Sequence, residues 1–304
     1  MNKPILVVGS LNMDLVVRVA RHPIVGETLL GGEFQTFPGG KGANQAVAAA
    51  RLGAPVRMIG CVGSDAFGAA LLAAVEKDAV STAFILKHPA AASGVALITV
   101  SADGQNTIVV AAGANAQLTA QDVLSAEAAF EDAGAVVIQL EIPLPAVEEA
   151  ARLGRKHGAV VLLNPAPAQP LSDGLLALVD YLIPNQTELQ QLSGLSDPDQ
   201  AARALLGRGV RNLVVTLGEQ GARWVSPAGQ ADVPAFAVRA VDTVAAGDAF
   251  VGAFAVALAE GWPVPEALRY GNAAGALSVT RAGAQPSLPT WNEVNNFLNA
   301  RRID

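Results

Sequence analysis

A chain of 304 residues that is 51% hydrophobic and 15% charged can bury a large core without covalent staples. Its net charge of −7 excludes a duplex-binding surface, which needs clustered Lys and Arg against phosphates. A single cysteine excludes an intramolecular disulfide and a cysteine-rich metal site, and no uncharged apolar stretch is long enough for a membrane span.

The opening "MNKPILVVGS" has neither the length nor the cleavage pattern of a signal peptide, so the cytoplasm is the expected setting. Neither a nucleic-acid nor a membrane partner is expected. The three histidines, His22, His88 and His157, are too dispersed for a metal cluster. His157 stands before Gly158 at a helix end, a structural position.

In chain order, the run 5–10 ("ILVVGS") reads as a strand leading to Asn12 and Asp14. Segment 14–37 then reads as strands with no helix between them. "PGGKGANQAVAAARLG" (38–53) is a Gly-rich turn opening a helix that stops at Gly53. The run 56–63 ("VRMIGCVG") reads as a strand with Cys61 in the core. Segment 93–114 reads as a hairpin with its turn at 102–106. A Thr119/Asp122 capping box opens the next helix, and 135–141 is a strand ending on Glu141. A helix follows with Pro143 near its start and Gly158 after its end. Runs 159–165, 181–185 and 212–218 read as further strands, and "FAVRAVDTV" as one more, feeding an apolar helix over 246–260.

Strands this continuously apolar are buried on both faces. Their alternation with helices predicts an α/β fold: a doubly wound, mainly parallel sheet with helices on both faces. The helix-free segments, approximately 14–37 and 93–112, are expected to form a small antiparallel β lid inserted into one α/β domain over 1–304. Such a lid cannot bury both of its faces alone, so it covers a substrate, a second subunit, or both.

In open α/β sheets, ligands bind outside the carboxyl ends of the strands. Asn12, Asp14, Glu141, Asn164, Asn185 and Gly218 collect there, and "DTVAAGD" (242–248) falls on the same edge. One crevice is predicted. It is not a P-loop, because Gly40-Lys41 is followed by Gly42, and G-x-G-x-x-G is absent. What remains is a helix start at Ala245, Ala246 and Gly247, whose exposed amides make an anion site beside Asp248. Asp248 is open to two compatible readings. As a cap it accepts backbone N–H bonds. As a base it takes a hydroxyl proton while the amides stabilise a moving phosphoryl group, with Gly247 allowing close approach. Lys41 and Asn44 at the Gly-rich turn join Asn12, Asp14 and Glu141 as a polyol-binding set, rich in donors and acceptors and poor in aromatics.

"GGKGANQAVAAARLG" and "DTVAAGDAFVGAF" resemble the N- and C-terminal signatures of the PfkB carbohydrate-kinase family. "GSLNMDLV", "QLEIPL", "LNPAPA", "PNQTE", "TLGEQGA" and "RAGAQPS" extend the resemblance over essentially the whole chain, closest to its ribose-phosphorylating branch. The resemblance implies transfer of the γ-phosphoryl of ATP, with Mg2+, to the O5 hydroxyl of D-ribose. It implies Asp248 as base and the amides of Ala245, Ala246 and Gly247 as anion hole, with the sugar held by Asn12, Asp14, Gly40, Lys41, Asn44 and Glu141. Asn185 and Glu188 match the N-x-x-E motif that places magnesium and phosphate. Thr216, Leu217, Gly218, Glu219, Gln220, Gly221 and Asn272 would line the nucleotide pocket. Asp242, Val244, Ser278, Arg281, Gly283 and Ser287 match an activating K+ site, several through backbone oxygens. The lid strands would pair with a second subunit in a homodimer.

Gln186 stands where the family frequently has Glu, while Glu188 keeps the acid. Met13, bulky between Asn12 and Asp14, is expected to reshape the sugar pocket. A deoxyribose, another pentose or a nucleoside is the alternative acceptor. The lid offers Phe34 and Phe37 but no Trp or Tyr to stack a base. A non-catalytic sugar sensor is the reading from a different class.

Overall fold

The computed structural model describes residues 3–301. The first strands are β1 (Ile5–Val8), β2 (Asn12–Arg18), β3 (Phe34–Gly39), β4 (Val56–Gly63), β5 (Val80–His88), β6 (Gly94–Val100) and β7 (Asn106–Ala111). Then come β8 (Ala135–Gln139), β9 (Val160–Asn164), β10 (Tyr181–Leu182), β11 (Asn212–Thr216), β12 (Ala222–Ser226) and β13 (Gly229–Val233). The helices are α1 (Lys41–Arg51), α2 (Ala66–Lys77), α3 (Ala120–Ser125), α4 (Leu144–Lys156), α5 (Asp173–Leu178) and α6 (Gln186–Ser193). They continue with α7 (Pro198–Gly207), α8 (Ala246–Ala259), α9 (Val264–Ser278), α10 (Ala284–Ser287) and α11 (Trp291–Ala300).

Nine strands form the main sheet in the order β13-β12-β11-β10-β9-β8-β1-β4-β5. All neighbours are parallel except β11–β12 and β12–β13. Apolar residues leave it on both sides, as the continuous runs require. One face packs against α1, α2, α8, α9 and α11, the other against α3 to α7. The doubly wound α/β architecture is therefore as expected. Strands β5, β12 and β13 were not foreshadowed, because each is partly exposed and lacks a continuous apolar run.

From β1 the strand order runs outward through β4 to β5, and from β8 outward to β13. The reversal lies between β1 and β8, so their carboxyl ends open a crevice. Ser10 and Asn12 follow β1 there, and Glu141 follows β8.

A second sheet has the order β3-β2-β6-β7. The outer pairs are antiparallel, as anticipated, but the central pair β2–β6 is parallel, because the chain crosses the main sheet between them. The hairpin turn between β6 and β7 falls where the sequence placed it. Residues 19–33 are irregular rather than extended, tied by an Arg21–Glu27 ion pair.

"FAVRAVDTV" is likewise not a strand. Its backbone is satisfied elsewhere: the amides of Val241 and Asp242 donate to Val279 O at the end of α9, at 2.7 and 3.2 Å. Among the described residues no helix is long and apolar enough to cross a membrane.

Candidate active site

Helix α1 starts against the β1–β2 turn because glycine removes the side chains that would block it. A Cβ at Gly42 would stand 2.5 Å from Ser10 N, and one at Gly40, whose φ is +91°, would stand 2.7 Å from Asn12 N. The close approach brings the Lys41 amide to 3.1 Å from Glu141 Oε2. Ser10 Oγ and Asn12 Nδ2 donate to the same oxygen at 2.5 and 3.2 Å. Asn12 is itself oriented by Asn115, whose Nδ2 donates to Asn12 Oδ1 at 2.8 Å.

Asp14 lies two residues along β2 and shares the face of Asn12. Burial first, then the carboxylates of Glu141 and Asp248, push its carboxyl up to about 7. Lys41 sits among these acids. Burial works against its ammonium, but Asp248, Glu141 and Glu188 outweigh it and hold the group above its ordinary range. Met13 does not shape this crevice. Alternation along β2 turns it to the opposite face from Asn12 and Asp14, where it is 4% exposed in the core.

Asp248, 7% exposed, is on the first turn of α8. The cap reading fails, for its side chain makes no bond to the helix backbone. Instead Asn44 Nδ2 donates to Oδ2 and Gln45 Nε2 to Oδ1, each at 2.9 Å. Burial, opposed by Lys41 and these two donors, holds Asp248 above the ordinary carboxylate range. The helix enters through Ala245, a non-glycine residue at φ +61°. The Ala246 amide donates to Thr243 O at 3.3 Å, and the next amides of the first turn have no intrahelical acceptors. A Cβ at Gly247 would meet nothing within 4 Å, so the space beside this residue is open.

Asn185 and Glu188 form a capping box at the start of α6: Asn185 N donates to Glu188 Oε2 and Glu188 N to Asn185 Oδ1, both at 2.8 Å. Burial raises the Glu188 carboxyl, while the Asn185 amide and Lys41 oppose the shift. Thr216 bridges to Asn185 and leads into the tight turn Gly218–Gln220, closed by Leu217 N to Gly221 O at 2.8 Å. Glu219 and Gln220 are exposed. Asn272 spends its Nδ2 on Val233 O and Pro234 O, at 2.9 and 3.1 Å, tying α9 to the end of β13.

The positions matched to a monovalent cation fall on the loop before α8 and on the stretch from the end of α9 to the end of α10. Asp242 accepts from Val244 N at 3.0 Å and from Gly283 N at 2.9 Å. Arg281 N donates to Ser278 O at 3.1 Å, and Gly283 precedes α10, which ends on Ser287. The Arg281 side chain turns away to Glu293.

Sequence reasoning passed over Ser10, Gln45, Asn115 and Gln139, and gave Asn164 no role. Gln45 carried a signal, being an amide in an otherwise small and apolar stretch of α1 directly after Asn44.

Together these groups set polar donors and acceptors, a buried carboxylate and a helix N-terminus side by side on an α/β sheet. The model of the family described as "pfkB family carbohydrate kinase" matches residues 2–291. A ribokinase of Haemophilus influenzae is 44% identical, with 98% of this chain and 99% of that protein covered. A deoxyribokinase of Salmonella typhimurium is 40% identical, with 97% and 98% covered. The structure of Arabidopsis thaliana ribokinase complexed with ribose and ATP superposes with a TM-score of 0.90 at 34% identity, covering 98% and 99%. This chain belongs to the pfkB family of carbohydrate kinases and is a phosphotransferase acting on an alcohol group.

Proposed function

We propose that this chain is an ATP-dependent ribokinase, transferring the γ-phosphoryl of ATP to O5 of D-ribose to give ribose 5-phosphate. The observation that carries the reading is Asp248: a buried carboxylate held by two side-chain amides at an open helix start, beside a crevice of sugar-type donors and acceptors. Ribokinases among the relatives and the ribose and ATP complex of one structural neighbour support the choice of substrates.

Glu141, fixed through one oxygen, leaves Oε1 for sugar hydroxyls, joined by Asn12, Asp14, Lys41, Asn44 and the bare backbone at Gly40. Asp248 takes the proton of the O5 hydroxyl. The amides at Ala245, Ala246, Gly247 and Asp248 accommodate the charge that develops on the transferred phosphoryl group. Thr216, Leu217, Gly218, Glu219, Gln220, Gly221, Asn185 and Asn272 form the nucleotide side.

Glu188, desolvated and facing the crevice, fits magnesium, which when bound neutralises phosphate charge. The Asp242 charge with the backbone oxygens around Val244, Ser278, Arg281, Gly283 and Ser287 fits K+, a hard cation that takes oxygen ligands. The lid sheet carries exposed Phe34, Leu97, Ile108, Val109 and Val110, which supports a homodimer joined through its strands. Domain limits of 1–304, with the lid inserted, and a cytoplasmic setting belong to the same reading.

A deoxyribokinase at 40% identity favours 2-deoxyribose as the second reading. The deciding assay follows ADP release from Mg-ATP with ribose, 2-deoxyribose, fructose and adenosine in turn, with and without K+. Preferential turnover of ribose, raised by K+, is expected. Preference for 2-deoxyribose establishes the second reading, because a site built to bond the 2-hydroxyl rejects the analogue lacking it. Asp248→Ala is expected to fold and to lose roughly 100- to 10,000-fold in turnover.

A further inference from the structure

Gln45 is fully buried, and its side chain serves other elements rather than its own helix. Nε2 donates to Asp248 Oδ1 at 2.9 Å and to Asn164 Oδ1 at 3.1 Å. Oε1 accepts from Gln139 Nε2 at 2.6 Å. Asn164 in turn donates to Ile183 O at 2.9 Å. Amides from β8 and β9 therefore meet at the α1 side chain that bonds the Asp248 carboxylate.

The charge at the end of this chain decides its direction. A carboxylate only accepts, so Gln45 turns its nitrogen to Asp248 and its oxygen to Gln139, which must present its own nitrogen. Gln139 Oε1 is consequently buried with no partner among the described residues. An unpaired buried oxygen costs stability, so this orientation is not for the benefit of Gln139. Reversing it would set two amide oxygens face to face. Position 9 keeps the space clear, since a Cβ on Gly9 would stand 1.9 Å from Gln139 Oε1.

We propose that Gln45 and Gln139 are positioning residues for the reaction: Gln45 holds the Asp248 carboxylate in one orientation toward the acceptor hydroxyl, and Gln139 holds Gln45. The proposal rests on the reading of Asp248 as the base. Losing a donor to a carboxylate favours its protonated form. The charged groups facing Asp248 are Lys41 on α1, Asp14 on β2, Glu141 after β8 and Glu188 on α6. All four remain when Gln45 is replaced, so a difference from the parent protein reports the lost amide bond.

The test measures kcat, KM and the pH profile of kcat/KM for Gln45→Met and Gln139→Met, beside the parent protein and Asp248→Ala, with melting temperatures. Gln45→Met is expected to lower kcat about tenfold or more and to move the acid limb up by about one pH unit, the size of one hydrogen bond to a charged group. Both KM values stay within about twofold, because no substrate contact is removed. Gln139→Met acts in the same direction by less. Parent-like kcat and acid limb in both folded variants, with Asp248→Ala inactive, would overturn the proposal and leave the two glutamines as packing. An active Asp248→Ala would overturn the base reading itself. Should Gln45→Met not fold, Gln139→Met, which reaches Asp248 only through Gln45, decides.

Discussion

Asp14 allows a prediction with a sign and a size. Its carboxyl feels the charges of Glu141 and Asp248 and accepts no hydrogen bond among the described residues, so burial and like charge raise it from 3.8 to about 7. Below the lower value both folded and unfolded chains hold the proton. Between the two values the unfolded chain releases it while the folded chain keeps it, and stability falls with rising pH. Above about 7 both are ionised and the loss is complete. About three units at about 1.4 kcal/mol each make it on the order of 4 kcal/mol, of which about 3 falls between pH 5 and pH 8. Asp14→Asn removes the titration and keeps the shape, which packs so closely over Gly39 that a Cβ there would stand 2.4 Å from Oδ2. Urea unfolding of both proteins at pH 5, 6, 7 and 8 reads the difference. The variant is expected to gain about 3 kcal/mol on the parent protein across that range, and to bind sugar more weakly at every pH. A stability difference that stays constant with pH would refute the reasoning.

Gly42→Ala is expected to cost about 1–3 kcal/mol and to raise KM for sugar, because its neighbours at 2.5–2.8 Å are all backbone of Gly9 and Ser10; melting temperature and KM together check it. Phe254, fully buried against Phe250 and Tyr181 with ring centroids at 5.8 and 5.4 Å, is expected to cost about 3–5 kcal/mol as Phe254→Ala in urea unfolding. Arg281, with Thr290, holds Glu293 down at about 2, so their stabilisation is present above the ordinary Glu range and is lost as pH falls from 4.5 through 2. Arg281→Ala is expected to move the acid-unfolding midpoint to higher pH.

Parallel inner strands were legible because burial on both faces leaves a continuous apolar run, as in β1, β8 and β9. The edge strands β5, β12 and β13 were not, since a half-exposed strand mixes polar and apolar residues. "FAVRAVDTV" has the composition of a strand, but its Val241 and Asp242 amides donate to the Val279 carbonyl just after α9 instead of to a strand. Met13 looked like part of the site because it adjoins two site residues, while alternation along β2 carried it into the core.

The sequence by itself determined the inner parallel strands, the glycine turns and the polar residues at the strand ends, because these follow from local backbone geometry and from the period of the apolar residues. Only the tertiary structure decided what those residues do. Asp248 is a first-turn acid by position and a clamped carboxylate by contact, for its two donors lie 204 and 203 positions away on α1. Asp14 titrates well above its ordinary range because burial desolvates it and because Glu141 and Asp248 approach it only in the fold. Charges and amides interact through space, and which of them meet is set by the order in which the strands lie side by side.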